Sequence, residues 1–370
     1  MNPIYSRSDS LIATMQTFII GYIGGNGGCG AYRFRNLAQY VNGIQGSKYR
    51  FLEPPFEVSD TLILANTAAI VFKDDASQMT TDLIRHYKEL REKNNYKYRL
   101  VMDFDDLPYV MGDGGAGDVV NKVIRENLDK IQVLAKEMDI ITASTAFLAE
   151  KLQEHGLETV KIIPNVIPRY LWGYPVHKLK SKPLIVYSGS ISHYGHDGAV
   201  PDITEKWITF FKMGVENDLF DLMVFGRSSQ KNKMFGRKLG SKIGNIQWSH
   251  IISYPSVMRT INPDFFVAPL ANVAFNKAKS NVKMLEAAAL GAVFMGDVFE
   301  GSPYQGCLEC QAVTETDTPK TIMEKFKFLC KPENYYAVQK AQSEFISDND
   351  LYTESRKYIG YYLKVVAGEL

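Results

Sequence analysis

Short apolar runs alternate with helical patterns twice along this 370-residue chain, and this alternation constrains the fold more than any other feature. Apolar strands separated by amphipathic helices are typical of α/β proteins, in which helices cover both faces of a parallel sheet. In the first series, the pattern predicts strands at 17–24, 61–66, 98–104, 139–144 and 160–165, and helices at 30–42, 77–93, 118–137 and 145–155. In the second, it predicts strands at 184–190, 221–226, 246–249, 264–270 and 292–297, a helix near 202–214 and a helical tail from about Pro332.

A proline-rich stretch separates the two series. Residues 164–183 contain four prolines and no sustained periodicity, which indicates a connection between domains. We therefore predict an N-terminal Rossmann-like domain over 1–170, a linker over 171–183 and a C-terminal Rossmann-like domain over 184–349. The amphipathic segment 350–370 is predicted to pack back on the first domain. Two similar halves joined in this way suggest a cleft between them.

The charge balance and composition exclude several classes of protein. Lys and Arg total 42 and Asp and Glu total 41, so the net charge gives no argument for nucleic acid or an anionic membrane as partner. No apolar run approaches the roughly 20 residues that span a bilayer, and we predict a cytoplasmic location. Cys307 and Cys310 form a lone C-x-x-C without the second pair that a zinc site needs, which favours ordinary thiols.

A lysine-rich turn lies between a buried strand pattern and an alanine-rich helix, in the sequence NKAKSNVKMLEAAALGAVFMGD of Asn276–Asp297. In parallel sheets, ligands gather at the carboxyl ends of strands, where helix N-termini favour an anion such as phosphate. Ser280 is predicted to cap a helix that begins near Asn281. Three lysines add positive charge around that terminus: Lys277, Lys279 and Lys283.

Glu286 is the one acidic residue of this helix pattern. It lies three residues after Lys283, so the two side chains share one side of the helix. In this position, the carboxylate can accept hydrogen bonds from a sugar diol while the cations and the backbone hold phosphates. The alternative is a solvated lysine turn with an ordinary surface ion pair.

A glycine-rich loop, GGNGGCGAYRFRN, follows the first predicted strand. Its G-x-G-x-x-G spacing formally fits a dinucleotide fingerprint, but a lone match is a weak signal, and no acid ends a predicted second strand about 20 residues later. Glu53 instead follows YRFL and precedes two prolines. We predict a ligand-facing loop formed by Gly27, Gly28, Gly30 and Arg33, with a plain tight turn as the alternative.

Three carboxylates end the predicted strand at 98–104, in the sequence DFDD: Asp103, Asp105 and Asp106. Mutual repulsion makes such a cluster costly unless cations, hydrogen bonds or solvent offset it, and clusters of this kind often have perturbed pKa values. We predict that these aspartates are catalytic. The alternative is helix capping and loop solvation.

The combination and order of these pieces resembles the GT-B-fold glycosyltransferases of the retaining, glycogen-synthase-like class. Residues 275–297 resemble that family's nucleotide-binding segment, and DIITASTAFLAEKLQEHG with VKIIPNVIP resembles its exit from the N-terminal domain. LIVYSGSIS and LMVFGRSS resemble the first strands of its second domain. The resemblance covers most of 17–330 and implies two Rossmann-like domains with parallel sheets facing a central cleft, the second domain binding a nucleotide sugar.

Individual residues can be carried over from this resemblance. It implies that Glu286 binds the donor ribose, while the family's second glutamate, eight positions earlier, is replaced here by Ala278. The family's donor-phosphate Arg and Lys are missing from the loop SGSISHYGHDG, so Arg227 is the candidate substitute, with Lys283 as a second. The remaining donor-binding candidates are Lys279, Ser280, Asn276 and Gly189.

The predicted function is transfer of a hexosyl or pentosyl group from a nucleotide diphosphate sugar, most simply UDP-linked, to an acceptor hydroxyl with retention. Asp105 or Asp106 would orient that hydroxyl, and cationic side chains with a helix terminus would stabilise the leaving phosphates. Neither a cofactor nor a required metal is predicted. A DxD metal site is the rival interpretation, but that motif accompanies the single-domain glycosyltransferase fold.

The leading acceptor is a hydroxymethylated pyrimidine in phage DNA, because the Asp-x-Asp-Asp strand end resembles a bacterial and phage branch of the family. The segment KNKMFGRKLGSK at 231–242 has five basic residues and no acid, as a phosphate-tracking surface would. One alternative is a cytoplasmic transferase acting on a cell-surface glycan, a lipid-linked or a protein acceptor. Others are a GT-B nucleotide-sugar epimerase and a non-catalytic nucleotide-sugar-binding module.

Overall fold

The computed structural model describes residues 16–23, 28–55, 57–74, 77–107, 130–173, 177–189, 201–225, 233–246 and 249–370. They divide into two compact units, each discontinuous in sequence. The first unit is drawn from Met1–Asp105, Glu126–Pro164 and Thr353–Leu370, and the second from Asp106–Arg125 and Asn165–Tyr352. Each unit contains a parallel sheet, as the alternating pattern predicts, and each sheet has six strands where five were predicted.

The sheet of the first unit has the strand order β2-β1-β3-β4-β5-β6. Its strands are β1 (Thr17–Tyr22), β2 (Tyr49–Leu52), β3 (Thr67–Lys73), β4 (Arg99–Phe104), β5 (Ile140–Ala143) and β6 (Val160–Ile162). The helices are α1 (Gly28–Gly30), the π-helical π1 (Ala31–Arg35), α2 (Asn36–Gly43), α3 (Thr61–Ala65), α4 (Gln78–Asn94), α5 (Ala146–Glu154) and α14 (Arg356–Val366), with a further helical stretch at 130–136.

The sheet of the second unit has the order β12-β11-β10-β7-β8-β9. Its strands are β7 (Leu184–Tyr187), β8 (Asp221–Phe225), β9 (Gly244–Ile246), β10 (Phe265–Ala268), β11 (Val293–Asp297) and β12 (Ala312–Val313). The helices are α6 (Arg169–Trp172), α7 (Glu205–Glu216), α8 (Arg237–Gly240), α9 (Tyr254–Ile261), α10 (Ala274–Lys277), α11 (Val282–Leu290), α12 (Pro319–Leu329) and α13 (Pro332–Asp348), with a 3₁₀ turn at Glu309–Gln311.

Helix α14 packs on the first unit. The Tyr361 hydroxyl donates to the carbonyl oxygen of Ile162 at 2.7 Å, and the Tyr362 ring centroid lies 6.0 Å from that of Phe51. Tyr358 and Tyr362 are buried. Within the described parts of the chain, none of the helices is long and apolar enough to cross a membrane.

The strand predicted at 61–66 is wrong. Thr61–Ala65 is helix α3, and the strand is the next segment, β3. The carboxylate of Asp60 accepts from the backbone N–H groups of Leu62 and Ile63 at 2.8 and 3.2 Å, which caps the helix. A short apolar run has no periodicity long enough to separate strand from helix, and here the cap decides.

Strand β2, which pairs with β1 at the edge of the first sheet, was not predicted from the sequence. Glu53 therefore does follow a second strand, contrary to our expectation. Its Oε2 atom accepts from Arg35 Nε at 2.9 Å, so the acid is engaged in an ion pair of the first unit. Strand β12 was missed as well, because it has only two residues.

The other predicted strands and helices that fall on described residues are confirmed to within a few residues at each end. The predicted helix at 30–42 contains the π-helical segment π1. Of the predicted helix at 118–137, residues 130–136 are helical and the rest lies outside the described residues. The strand predicted at 246–249 is β9, which ends at Ile246, and residues 247–248 are not among those described.

Candidate functional site

The order of strands indicates a candidate ligand site in the second sheet. Counted from β7, the order is 6-5-4-1-2-3, that of dinucleotide-binding folds, and the strand order reverses between β7 and β10. Ligands of such sheets bind outside the carboxyl ends of the strands at this switch point. Ser188 and Gly189 directly follow β7 there, and α11 follows β10 after the short helix α10.

A chain of hydrogen bonds connects the end of β7 with Glu286 on α11. The Oε2 atom of Glu286 accepts from Lys283 Nζ at 2.9 Å and from the Tyr254 hydroxyl at 3.1 Å. The Tyr254 hydroxyl oxygen also lies 2.8 Å from Ser188 Oγ. Because a phenol has one proton and Tyr254 gives it to Glu286, the Ser188 hydroxyl is the donor in the second bond. Glu286, predicted to bind a donor, is therefore held at the switch point.

Apolar and aromatic side chains surround the hydrogen bonds between Ser188, Tyr254 and Glu286. Burial raises the pKa of Tyr254 well above its ordinary value, and the charge of Glu286 raises it further, so the phenol stays a neutral donor. The Tyr254 ring is in edge contact with Trp172 and Phe225, at centroid distances of 5.5 and 5.4 Å. Lys283 Nζ lies 5.4 Å from the Tyr254 centroid, within cation–π range.

The predicted cap by Ser280 is wrong. The N-cap residue of α11 is Asn281, and no side chain caps this described helix. Ser280 lies one residue too early, and its hydroxyl accepts from Asn165 Nδ2 at 2.8 Å instead. The first turn of α11 therefore keeps its backbone N–H groups without a side-chain cap, as an anion-binding terminus requires.

The lysines of the turn have different environments. Lys277 ends α10, and its side chain lies beside Gly301. Lys279 Nζ lies 5.0 Å from the Phe275 ring centroid. Lys283 Nζ forms an ion pair with Glu286 Oε2 at 2.9 Å. Lys283, one of the two predicted donor-binding lysines, is thus joined to the hydrogen bonds that connect Ser188, Tyr254 and Glu286.

Asn276, a further predicted donor ligand, is buried in the short helix α10 that precedes α11. Its Nδ2 group donates to Asp202 Oδ1 at 2.7 Å and to the Ala271 carbonyl oxygen at 2.9 Å. Asp202 Oδ1 also accepts from the Ala271 backbone N–H at 3.1 Å. Both amide hydrogens therefore stabilise the turn, and a role of Asn276 toward a donor stays a prediction. Ala278, where the family's second glutamate would lie, is fully buried.

A second buried carboxylate ends strand β11. Asp297 Oδ2 accepts from Trp207 Nε1 at 2.7 Å and from the Leu270 backbone N–H at 2.8 Å, while Oδ1 pairs with Lys206 Nζ at 2.8 Å. Burial raises the pKa of Asp297, although Lys206 opposes this. The acid fixes the chain after β10 at the edge where ligands bind.

Sequence reasoning missed several polar side chains at this edge. Asp297 ends the strand predicted at 292–297, a signal that would have found it. Ser188 lies within the strand predicted at 184–190 and follows β7 only because that strand ends at Tyr187. Tyr254 has no such signal, because it begins helix α9 and lies 32 positions from Glu286. Its role appears only when the tertiary contact is known.

In the first unit, the predicted catalytic Asp103 forms a buried ion pair with the predicted loop residue Arg33. Arg33 Nε donates to Oδ2 at 2.9 Å and Nη2 to Oδ1 at 2.6 Å, and Thr142 Oγ1 donates to Oδ1 at 2.5 Å. Arg33 Nη1 donates to the carbonyl oxygen of Ile163. Burial alone would lower the pKa of Arg33, but the charge and hydrogen bonds of Asp103 outweigh it and raise the pKa. Arg33 thus supplies the cation that the acidic cluster requires.

The other two predicted aspartates are more accessible. Asp105 is half-buried, its carbonyl oxygen accepts from Ser144 Oγ at 3.0 Å, and Asp106 is exposed. Of the predicted glycine loop, Gly28 and Gly30 belong to α1, and Gly27 lies outside the described residues, as does the predicted phosphate ligand Arg227. Over the described ranges, no three His, Cys, Asp or Glu side chains are grouped so as to hold a metal ion.

Neither a protein-family model nor any curated protein matches the chain, but solved structures do. HepE from Anabaena, solved with UDP-glucose, has a TM-score of 0.61 at 10% identity over 96% of this chain and 100% of HepE. Sucrose-phosphate synthase from Thermosynechococcus elongatus has 0.58 at 12% identity over 95% and 100%. TarM from S. aureus, solved with UDP, has 0.52 at 12% identity over 82% of this chain and 55% of TarM, so the chain spans about half the length of TarM. With its two six-stranded parallel sheets and surrounding helices, the protein has the GT-B fold.

Proposed function

We propose that this protein is a glycosyltransferase that moves a sugar from a nucleotide diphosphate sugar, with UDP as the nucleotide, to an acceptor hydroxyl. One observation carries the proposal: a buried carboxylate, Glu286, is held by Tyr254 and Lys283 at the switch point of the second sheet. Structural neighbours solved with UDP-glucose or UDP support the choice of donor.

The burial of Glu286 favours a ligand site over an ordinary surface ion pair. Its side chain is 1% exposed and that of Lys283 is 30% exposed. A surface pair keeps both groups in water and contributes little, whereas a carboxylate removed from water is costly unless hydrogen bonds and cations compensate. Placing such a group at the edge of the sheet supports a specific use, which we assign to the ribose hydroxyls of the donor.

The phosphates of the donor need positive charge that is already in place before the reaction. No group then has to rearrange when the bond to the sugar breaks. We assign this charge to the uncapped N-terminus of α11, to Lys283 and to Arg227, which lies beyond the described residues. Such preorganised donors stabilise the negative charge that grows on the leaving diphosphate. No metal is needed for this step.

On the acceptor side, we assign orientation of the hydroxyl to Asp105 or Asp106, the two accessible carboxylates after β4. Asp103 is a positioning residue, because Arg33 and Thr142 occupy both of its oxygens. Retention of configuration and transfer of a hexosyl or pentosyl group belong to the same proposal, as does a cytoplasmic location.

For the acceptor, we propose a hydroxymethylated pyrimidine in phage DNA. The supporting observation is a basic patch of four exposed cations in the second unit: Lys233, Arg237, Lys238 and Lys242. Among the described residues, none of the four forms an ion pair, so their charge is available to phosphates. A glycan or lipid-linked acceptor is the second candidate, motivated by the structural neighbour WaaG, a glycosyltransferase involved in lipopolysaccharide biosynthesis.

Product analysis tests the proposal. The protein is incubated with a panel of nucleotide sugars and with hydroxymethylated DNA, unmodified DNA and glycan acceptors, and products are identified by mass spectrometry. Free UDP together with glycosylated DNA supports the full proposal, and glycosylated glycan supports the transferase with the second acceptor. An epimerised nucleotide sugar, or binding without turnover, would instead assign the fold to epimerisation or to ligand binding alone.

A further inference from the structure

We infer that Tyr254 is a positioning residue that fixes the Glu286 carboxylate for the ribose of the donor, and that it thereby sets the preference for a ribonucleotide. The inference rests on the proposed function and deepens it, because it assigns the selectivity of the same site to a residue that does not itself contact the donor.

The hydrogen bonds between Ser188, Tyr254 and Glu286 all run in one direction. Ser188 donates to Tyr254, and Tyr254 donates to Glu286 Oε2, at 2.8 and 3.1 Å. Burial and the charge of Glu286 keep Tyr254 protonated, so this polarity does not reverse. The carboxylate oxygen therefore has a fixed donor before any ligand arrives, and its orientation is preorganised.

The Tyr254 side chain is held more rigidly than that of Lys283. Tyr254 and Lys283 both donate to Oε2, and they differ in how firmly each side chain is held. Tyr254 is 7% exposed and its ring is held in edge contact with Trp172 and Phe225. Lys283 reaches the same oxygen with a flexible four-carbon stem that is 30% exposed. Of the two, the phenol is the partner that can define a geometry.

Tyr254 lies between the end of β7 and helix α11. Ser188, at the other end of the chain of hydrogen bonds, follows β7 beside Gly189, at the strand end where donor phosphates are expected. Tyr254 thus connects the Ser188 side chain at that strand end with the carboxylate on α11. A displacement of the phenol would change the angle at which Glu286 meets a diol without removing the acid.

The test uses Tyr254→Phe, which keeps the ring and removes the hydroxyl. Dissociation constants for UDP and for 2′,3′-dideoxy-UDP are measured by calorimetry with the full-length wild type and the variant. We expect the wild type to prefer UDP by about tenfold or more, and the variant to lose about fivefold or more of this preference. Affinity for dideoxy-UDP should change less than about twofold, because that ligand makes no use of the carboxylate.

The matched control is Tyr335→Phe, which also removes a buried hydroxyl of the second unit, one that donates to the Asp264 carbonyl oxygen at 3.1 Å. It should leave the ratio of the two affinities unchanged. In a Glu286→Gln background, Tyr254→Phe should change the ratio no further. If Tyr254→Phe does not fold, Ser188→Ala perturbs the same hydrogen bonds with the ring intact and should lower the ratio in the same direction.

Two failures are distinguishable. If the ratio of the UDP and dideoxy-UDP affinities is unchanged in Tyr254→Phe, with or without an equal loss for both ligands, the positioning role is overturned while the proposed function stands. A wild type that binds UDP and dideoxy-UDP equally would overturn the ribose assignment of Glu286, and the inference about Tyr254 would fall with it.

Discussion

Replacing Asp103 by alanine separates a structural from a directly catalytic role of this residue. The substitution removes both carboxylate oxygens from Arg33, whose side chain is 1% exposed, and leaves the guanidinium with the Ile163 carbonyl oxygen as its remaining partner of those described above. It also removes the acceptor of the Thr142 hydroxyl. The expected result is a large loss of stability in the first unit.

The magnitude follows from the contacts. Breaking a buried ion pair by removing one partner costs about 3–5 kcal/mol, and a buried hydroxyl left without its acceptor adds about 1 kcal/mol. Domains are stable by only about 5–15 kcal/mol, so Asp103→Ala removes a large share. Asp105→Ala, at a half-buried carboxylate of the same strand end, should cost less than about 1 kcal/mol.

Hydrogen exchange followed by mass spectrometry is the suitable assay, because two units need not unfold in one step and peptides from β4 and π1 report the first unit alone. The apolar pair Arg33→Met with Asp103→Leu should recover most of the stability, since no charge is then buried. Transfer activity should recover with it if Asp103 only positions. Equal protection in Asp103→Ala and Asp105→Ala would refute the structural assignment, and a stable but inactive double variant would assign a direct role in transfer to the Arg33–Asp103 pair.

Four further outcomes are expected. Glu286→Ala should weaken UDP binding about tenfold to a hundredfold, the worth of a charged hydrogen bond, and unchanged affinity in a folded variant would remove the ribose assignment. Transfer should survive excess EDTA, whereas a complete loss restored by manganese or magnesium would make Asp103, Asp105 and Asp106 metal ligands. Neutralising the basic patch should reduce the log–log salt slope of DNA binding by about 0.9 for each lost phosphate contact, and no affinity for hydroxymethylated DNA in the wild type would exclude that acceptor. Burial raises the pKa of Cys307 and of Cys330 to about 12, so at pH 8 iodoacetamide should label both far more slowly than glutathione, and rapid labelling would indicate reactive thiols.

The layered architecture was predictable from the sequence because strands of a parallel sheet are buried on both faces and read as continuous apolar runs. Strand β2 shows the limit of this signal. It is an edge strand in which Arg50 is exposed and Phe51 is buried, so its four residues give neither a continuous run nor a long alternation. Helix α3 shows the opposite error, since its apolar residues resemble a strand until the cap by Asp60 is known.

The candidate site was predictable only where the evidence is local. Glu286 and Lys283 are three residues apart on one helix, and their pairing could be read from that spacing. Arg33 and Asp103 are separated by 70 positions, and Ser188 and Tyr254 by 66. The sequence pattern does not indicate which residues pair over such separations. Buried polar groups must find partners, but tertiary packing chooses which ones.

The return of α14 to the first unit has a consequence for protein synthesis. A ribosome produces Arg33 and Phe51 early, yet the residues of α14 that cover this region are translated only after the whole of the second unit. Domains generally fold as units while the chain emerges, N-terminal parts first. Here the second unit is completely synthesised before the first unit is. Until α14 has been translated, part of the apolar surface of the first unit therefore stays exposed to chaperones.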